Sequence, residues 1–296
     1  MKSNALVLHP HGAPSAGSAE AFVCINHLAS SVMKDKRIEL KYQLEPCLAA
    51  DVKQWAREHL AADPHCDSGD TYDVNTLYLD SPDLDLFHET GVVGKKKYRI
   101  RRYGSESKLW LESKRKKKCE VNKTRVVGDE TEIRNQLEHR LNTERPCRLL
   151  SIEDSSSEEW FGDWFIAKTQ LHRLQPTTQV HYQRFARMAD ASGQNIRLTI
   201  DSHLHASPAR GWQVAREDDA HERAHRVQAT EYEILELKFH RYMPHVFKEL
   251  LRTFPIPVTG FSKYRAAVRC WNLDQAVPVC EAPAELSSRS ERLLYA

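Results

Sequence analysis

The chain has 296 residues, of which 41% are hydrophobic, enough for the core of one large domain or two modest ones. Lysine and arginine total 43 against 41 for aspartate and glutamate, so the net charge of +2 excludes a generally basic coat of the kind that wraps nucleic acid. Any site for a polyanion must therefore be local.

The seven cysteines form no Cys-x-x-Cys pair, which favours reduced thiols and a cytoplasmic location. The apolar run Ala5–Leu8 is too short for a secretory signal, and the uncharged run Ala21–Met33 is shorter than the roughly 20 residues of a membrane span. We predict no membrane span. We expect a flexible lead-in at 1–33, one domain at 34–272 and a disordered tail at 273–296.

The first predicted strand is Arg37–Tyr42, whose alternation places Glu39 and Lys41 on one face. A helix follows, with Pro46 in its first turn. Polar and apolar side chains separate cleanly in both segments, so both are predicted to border a core.

Asp73–Asp80 predicts the next strand, and Ser81–Asp85 has the Ser, Pro and Asp chemistry of a turn. The aspartates of this stretch also suggest a calcium loop. Neither a glycine nor a terminal glutamate follows at the spacing that such a loop needs, so we interpret the stretch as a turn.

An arginine-rich strand is predicted at Lys97–Gly104, with Arg99 and Arg101 on one face. Its hairpin partner is Leu109–Lys114, whose polar face carries Glu112. An ordinary antiparallel strand turns its polar face to water, and such faces mix small polar residues with both charge signs. These faces are built instead from basic residues around a carboxylate, which suits an interior filled with phosphate.

The densest basic run is Lys114–Lys118. It has three interpretations: a solvated loop, a nuclear-localisation-like patch, or a guide for a polyanion at the entrance to a tunnel. Under the third, Lys114 binds the ligand and the basic residues beyond it steer. The steering residues are Lys116, Lys117, Lys118, Lys123 and Arg125.

Helices are predicted at 130–142 and 158–174, and strands at His181–Arg187 and Ile196–Leu204. We interpret the histidines of these strands as structural. Residues 205–230 mix proline, glycine, histidine and both charge signs without periodicity, which predicts an exposed connection.

The last predicted strand, Ile234–Phe239, has Glu236 and Lys238 on one face, and helices at 244–254 and 261–271 follow. Glycine-rich phosphate loops, nucleophile elbows and His-Glu-x-x-His pairs are absent from the sequence. Phosphate must therefore be bound by side chains, and arginine suits this because its planar fork holds two oxygens.

Six motifs occur in the order found in a known family, and the chain resembles the VTC polyphosphate polymerase domain over residues 34–272. The motifs are Arg37-x-Glu-x-Lys-Tyr42, Tyr98-Arg-Ile-Arg-Arg-Tyr-Gly104, Glu112-Ser-Lys114, Tyr182-x-Arg184, Leu235-Glu-Leu-Lys238 and Phe261-Ser-Lys-Tyr264. That family belongs to the triphosphate tunnel metalloenzymes. The resemblance implies an α+β fold in which an antiparallel eight-stranded β-barrel forms a tunnel with flanking helices.

The resemblance also implies the site. The residues expected to bind phosphate are Lys41, Arg99, Arg101, Lys114, Tyr182, Arg184, Lys238 and Lys263. Glu236 is expected to hold a divalent metal, Mn²⁺ or Mg²⁺, and Glu39 and Glu112 to assist through water or to orient the basic side chains. Eukaryotic relatives carry a basic residue three positions before the lysine matching Lys263, whereas this chain has Gly260.

The implied function is a polyphosphate polymerase that transfers the γ-phosphate of ATP to a polyphosphate chain, with ATP and polyphosphate as its partners. Two alternatives stay open. Water as acceptor would make the protein a metal-dependent triphosphatase, and loss of catalysis would make it a regulatory protein that binds polyphosphate or nucleotide. Nucleic-acid binding is disfavoured because stacking aromatics do not interleave the basic ladder. A membrane-protein partner is left unidentified.

Overall fold

The computed structural model describes most of the chain between residues 37 and 274. The described ranges are 37–66, 69–90, 93, 96–117, 120–141, 160–191 and 193–274. The predicted lead-in at 1–33 lies outside them, as does the predicted tail from residue 275 onward.

Within these ranges the chain forms ten strands and seven helices. The strands are β1 (Arg37–Leu44), β2 (Ala61–Ala62), β3 (Thr71–Asp80), β4 (Lys96–Tyr103), β5 (Lys108–Lys117), β6 (Glu120–Asp129), β7 (Gln175–Ala191), β8 (Gln194–Pro208), β9 (Val227–Gln228) and β10 (Glu233–His240). The helices are α1 (Pro46–His59), α2 (Asp85–His88), α3 (Glu130–Leu141), α4 (Asp163–Leu171), α5 (Ala220–Ala224), α6 (His245–Thr253) and α7 (Lys263–Cys270).

The strands pair antiparallel in one sheet, in the order β2-β7-β3-β4-β5-β6-β1-β10-β8-β9. Because β7 also pairs with β8, the eight strands from β7 to β8 in this order form a ring. Among the described residues, the thinnest junction joins β1 to β6 through one residue pair, Ile38 with Glu120. The predicted α+β tunnel of antiparallel strands with flanking helices is thereby confirmed.

Strand alternation divides the ring into an apolar outer face and a polar inner face. The outer faces pack under the helices in two clusters. One cluster joins β3, β4 and β5 to α3, α4 and α7, and the other joins β1, β8 and β10 to α1 and α6. Burying each large aliphatic side chain contributes about 1.5–3 kcal/mol, so the helices hold the polar strands in a closed arrangement.

The downstream strands are longer than their predicted segments. β7 has 17 residues and β8 has 15, so the hairpin extends beyond the alternating core that the sequence pattern shows. β5 continues to Lys117, through most of the basic run that one interpretation treated as a loop, and β6 follows it. Its pairing with β5 runs from Lys108↔Asp129 to Lys117↔Glu120, which fixes it in the ring.

The prediction of an exposed connection at 205–230 is wrong in part. β8 continues to Pro208, and α5 is capped by Asp219, whose side chain accepts from the N–H of Glu222. Glu222 is itself buried and accepts from Gln179 Nε2 at 3.1 Å and Ser207 Oγ at 2.8 Å. These long-range contacts leave no signal in local periodicity.

The stretch from Asp80 to Asp85 is a turn, as predicted, and continues into α2. Asp80 is fully buried and accepts hydrogen bonds from the N–H groups of Ser81, Leu86 and Phe87 at 2.8, 2.8 and 3.0 Å. It also accepts from the hydroxyl of Tyr264 on α7. None of the described helices is long and apolar enough to cross a membrane.

Candidate functional site

The arginine ladder lies on the inner face of the ring. Arg101 Nε donates to Thr76 Oγ1 at 3.1 Å, and Arg99 Nε donates to Glu112 Oε2 at 2.8 Å. Arg101 Nη1 is 3.6 Å from the same oxygen, and Lys123 Nζ pairs with the other oxygen of Glu112. Burial raises the pKa of Glu112, but these three cations outweigh it and hold the pKa well below its usual range.

A second carboxylate, Glu236 on β10, forms ion pairs with three lysines. Its oxygens lie 2.9 Å from Lys41 Nζ, 2.6 Å from Lys238 Nζ and 3.4 Å from Lys263 Nζ. Lys41 and Glu236 are register partners of β1 and β10, which is why they meet. Burial opposes the charge of Glu236, yet the lysines lower its pKa far below the usual value, whereas burial lowers the pKa of Lys238 to about 7.

A third carboxylate, Asp201 on β8, accepts two hydrogen bonds from Arg184, at 2.6 and 2.8 Å. Lys263 Nζ lies 2.6 Å from Oδ2, the oxygen that also accepts from Arg184 Nη2. Arg184 Nη2 also donates to the hydroxyl of Tyr182 at 3.3 Å, and Lys263 Nζ lies 4.9 Å from the centroid of that ring. Burial raises the pKa of Asp201, but Arg184 and Lys263 lower it to about 2.

The fourth carboxylate is Glu39 on β1. Lys114 Nζ donates to both of its oxygens, at 2.8 and 2.9 Å, and Lys41 Nζ lies 3.7 Å away. Burial and nearby Glu236 raise the pKa of Glu39, but the lysines lower it well below its usual range. This inner face of the ring, with its four carboxylates and their cations, is called the lumen below.

The structure therefore brings all the predicted phosphate-binding and metal-binding residues together in the lumen. Their positions follow from strand alternation for every residue except Lys263, which α7 contributes. The predicted steering residues do not all lie in the same place. Lys123 pairs with Glu112 in the lumen, and Arg125 Cζ lies 4.5 Å from the ring centroid of Trp110. The side chains of Lys116 and Lys117, and all of Lys118, lie outside the described part of the chain.

The predicted site left out Asp201, Lys97 and Tyr78, which carry charge or titrate in the lumen. Asp201 shares a predicted strand face with Arg197, and that pattern was the available signal. Lys97 precedes Arg99 by two residues on the same face, so alternation also marks it, and its Nζ donates to Ser262 Oγ at 2.8 Å. No carboxylate pairs with Lys97 in the described part of the chain. Burial lowers its pKa to about 8.

The third missed residue is Tyr78, which the register of β3 and β4 places directly opposite Arg99. Its side chain is buried in the ring. Burial raises the pKa of this phenol, but the positive charges of Arg99, Arg101 and Lys97 lower it to about 7. No local sequence pattern around Tyr78 predicts the lowered pKa, because the arginines that cause it belong to another strand.

The lumen carboxylates fit a divalent cation. Lys41 Nζ lies between Glu39 and Glu236, at 3.7 and 2.9 Å, so a positive charge already bridges two carboxylates there. Carboxylate oxygens are the ligands that Mg²⁺ and Mn²⁺ prefer. The donor set thus matches the metal expected from the sequence.

A second group of donors lies on the outer face of the ring, where Asp73, His181 and Glu217 have ligand atoms within 4.8 Å of one another. His181 Nδ1 is 3.0 Å from Asn75 Oδ1 and 3.2 Å from Glu217. Glu217 already pairs with Arg226 at 3.4 Å. These contacts agree with a structural role for His181, so the lumen remains the metal candidate.

Comparison with known proteins gives one family. A family model described as the VTC domain matches residues 36–272. Curated protein sequences give no match.

Several solved structures are similar to the chain. One is a provisionally assigned adenylate cyclase from Bacillus halodurans, at 16% identity and a TM-score of 0.42, covering 77% of this chain and 94% of its own. Another is a Hippeastrum protein reported to have a dominant triphosphatase activity, at 14% identity and a TM-score of 0.38, covering 80% and 96%. A third, from Vibrio parahaemolyticus, has 9% identity and a TM-score of 0.41, covering 78% and 97%.

Proposed function

Because the chain belongs to the VTC domain family of triphosphate tunnel metalloenzymes, we propose that it is a polyphosphate polymerase using ATP as phosphoryl donor. The observation that carries this proposal is the charge of the lumen. Each buried carboxylate there contacts at least two cations, and Lys97 has no carboxylate partner in the described residues. Such an excess of buried positive charge is costly unless a polyanion neutralises it.

In the proposed reaction, a terminal oxygen of polyphosphate attacks the γ-phosphorus of ATP. The new P–O bond forms as the bond to the β-phosphate bridging oxygen breaks, and ADP leaves with that electron pair. A phosphate oxygen is already anionic at neutral pH, so no strong base is needed.

The side chains act by position and charge. Arg99, Arg101 and Arg184 are held by Glu112 and Asp201, so their guanidinium groups are oriented before the substrate arrives. They would neutralise the repulsion between donor and acceptor, and strengthen their hold as charge spreads over the transferring group.

Glu236 and Glu39 would hold the divalent metal, and Glu112 would assist through water or orient Arg99 and Arg101. When bound, the metal would neutralise charge on the donor phosphates and help to align them. Lys41, Lys238 and Lys263 share Glu236 in this structure, and with a metal held by that carboxylate they would be available to the phosphates.

A second candidate is hydrolysis, in which water replaces the phosphate acceptor. Tyr78 favours it, because a phenol with a pKa of about 7 in the lumen could take the proton that an attacking water must lose. A purely regulatory, non-catalytic binder is disfavoured, since Glu236 pairs with lysines and orients no arginine, so a simple anion receptor gains little from a carboxylate that repels its ligand.

The test is to incubate purified protein with ATP and Mn²⁺, resolve polyphosphate on a gel, and assay ADP and free phosphate separately. Polymer with matching ADP is the expected result. Free phosphate without polymer would make the protein a triphosphatase. Tight polyphosphate binding with neither product would make it a receptor.

A further inference from the structure

The inner face of the ring changes character along β4. Lys97, Arg99, Arg101 and Tyr103 follow one another on this face, so the cationic ladder ends in an aromatic ring. On the neighbouring strand, Trp110 is the register partner of Arg101. Along β4, the charged end of the inner face thus lies at Lys97 and the aromatic end at Tyr103.

The rings form a continuous group. Tyr103 packs edge-on against Trp110, with centroids 6.2 Å apart, and against Tyr72 of β3, with centroids 6.0 Å apart. All three side chains are half-buried. They are therefore part of the wall and still reachable from solvent.

Guanidinium groups surround these rings. Arg125 Cζ lies 4.5 Å from the centroid of Trp110, and Arg101 Nη1 donates to the hydroxyl of Tyr103 at 3.2 Å. Arg125 is exposed, and it pairs with no carboxylate in the described part of the chain. Because no hydrogen bond or ion pair with a described residue fixes its guanidinium, Arg125 can move off Trp110 and settle on a planar group placed between them.

We propose that Tyr72, Tyr103, Trp110 and Arg125, here called the aromatic mouth, bind the base of a nucleoside triphosphate. The base stacks on Trp110 beneath Arg125, and the phosphates extend toward Arg101. This inference rests on the proposed function, and it identifies the donor as a nucleotide rather than an inorganic triphosphate.

The chemistry of the two ends supports this assignment. Stacking on an aromatic ring is available to every base, and arginine adds a cation–π contribution, whereas a bare polyphosphate gains nothing from a ring. The opposite end of the lumen carries Lys97, with Lys114 as its register partner. The nucleotide therefore enters at the aromatic mouth, and the polyphosphate chain extends toward the lysines.

The experiment measures the affinities of ATP and of inorganic tripolyphosphate by calorimetry, without added metal so that turnover does not interfere. In the native protein, ATP should bind more tightly than its triphosphate charge alone explains. Trp110→Leu should lower the ratio of ATP affinity to tripolyphosphate affinity about tenfold, the order expected for one lost stacking contact. Phe161→Leu, at an exposed aromatic residue outside the lumen, is the control and should leave the ratio unchanged.

Arg125→Lys provides an independent variant at an exposed position, where folding is not at risk. It keeps the charge and removes the planar fork, so the same ratio should fall about threefold. A ratio within twofold of the native value in both variants would overturn the aromatic mouth. Failure of tripolyphosphate to bind the native protein would overturn the proposed function instead, so the two failures are distinguishable.

Discussion

Lys263 belongs to helix α7, outside the ring of strands, yet its Nζ lies 2.6 Å from the buried carboxylate of Asp201 inside the ring. Asp201 and Glu236 outweigh burial and raise the pKa of Lys263, so its ammonium group stays charged. A helix therefore completes the cationic wall. Whatever positions α7 also positions a ligand contact.

Removing the central carboxylate should stop metal-dependent turnover. Glu236→Gln keeps the shape of the side chain and an oxygen for the neighbouring lysines, but it removes the charge that a divalent cation requires. We expect the Mn²⁺-dependent rate to fall about 100-fold or more, while the far-ultraviolet circular dichroism stays native. The control is Glu249→Gln at an exposed site on α6. A native rate in Glu236→Gln would contradict the metal assignment.

Removing the arginine ladder should weaken triphosphate binding. Hydrogen bonds to charged groups are worth about 1.5–3 kcal/mol each, so Arg99→Ala with Arg101→Ala should cost about 100-fold or more in tripolyphosphate affinity by calorimetry. The double variant also leaves Glu112 buried without its guanidinium partners. Adding Glu112→Gln should recover stability without recovering affinity. Unchanged affinity in the double variant would refute the inward direction of the ladder.

Triphosphate binding should weaken as the pH rises from 7 to 9. Burial lowers the pKa of Lys97 and Lys123 to about 8 and that of Lys238 to about 7, and nearby cations lower that of Tyr78 to about 7. Over this range the lumen therefore loses positive charge and gains a negative charge. We expect affinity to fall about tenfold and binding to take up protons, as seen by calorimetry in buffers of different ionisation enthalpy. Lys97→Met with Tyr78→Phe should make the profile shallower, and Lys123 and Lys238 should account for the pH dependence that is left. Equally steep profiles in both proteins would contradict this assignment.

The stability of the ligand-free protein should change in the opposite direction. Lys97 and Tyr78 both have a lower pKa in the folded protein than in the unfolded chain, so between about pH 7 and 10 the unfolded chain binds more protons. The free energy of unfolding contributed by these groups therefore increases with pH across that window. Urea unfolding of the native protein and of the double variant at pH 7 and 9 measures the difference.

Replacing Asp80 should lower both the free energy of unfolding and the affinity for tripolyphosphate. Asp80 accepts three backbone N–H groups and the hydroxyl of Tyr264, so Asp80→Ala leaves those donors buried and should cost about 3–5 kcal/mol in urea unfolding. Because Tyr264 adjoins Lys263, tripolyphosphate affinity should fall as well. Asp83→Ala, at an exposed position of the same turn, should change neither quantity by more than about 0.5 kcal/mol. Equal effects of the two substitutions would contradict this account.

Much of the lumen was predictable from the sequence because side-chain direction along a strand is a local property. Alternation alone places Arg99 and Arg101 on the opposite face of the strand from Ile100, and it places Glu112 on the opposite face from Leu111. The six ordered motifs also predicted the family, which the match over residues 36–272 confirms. The alternation is read from short segments and the family from the order of the motifs, so neither requires the tertiary structure.

Only the tertiary structure decided which charges meet. Lys41 faces Glu236 because β1 and β10, far apart in the chain, share one register, and Tyr78 faces Arg99 because β3 pairs with β4. Lys263 reaches Asp201 only because α7 packs on the ring. Electrostatic energies depend on distances between segments, which no local pattern encodes. The lowered pKa of Tyr78 and the grouping of the aromatic mouth therefore follow from the pairing of the strands and could not be predicted from the sequence.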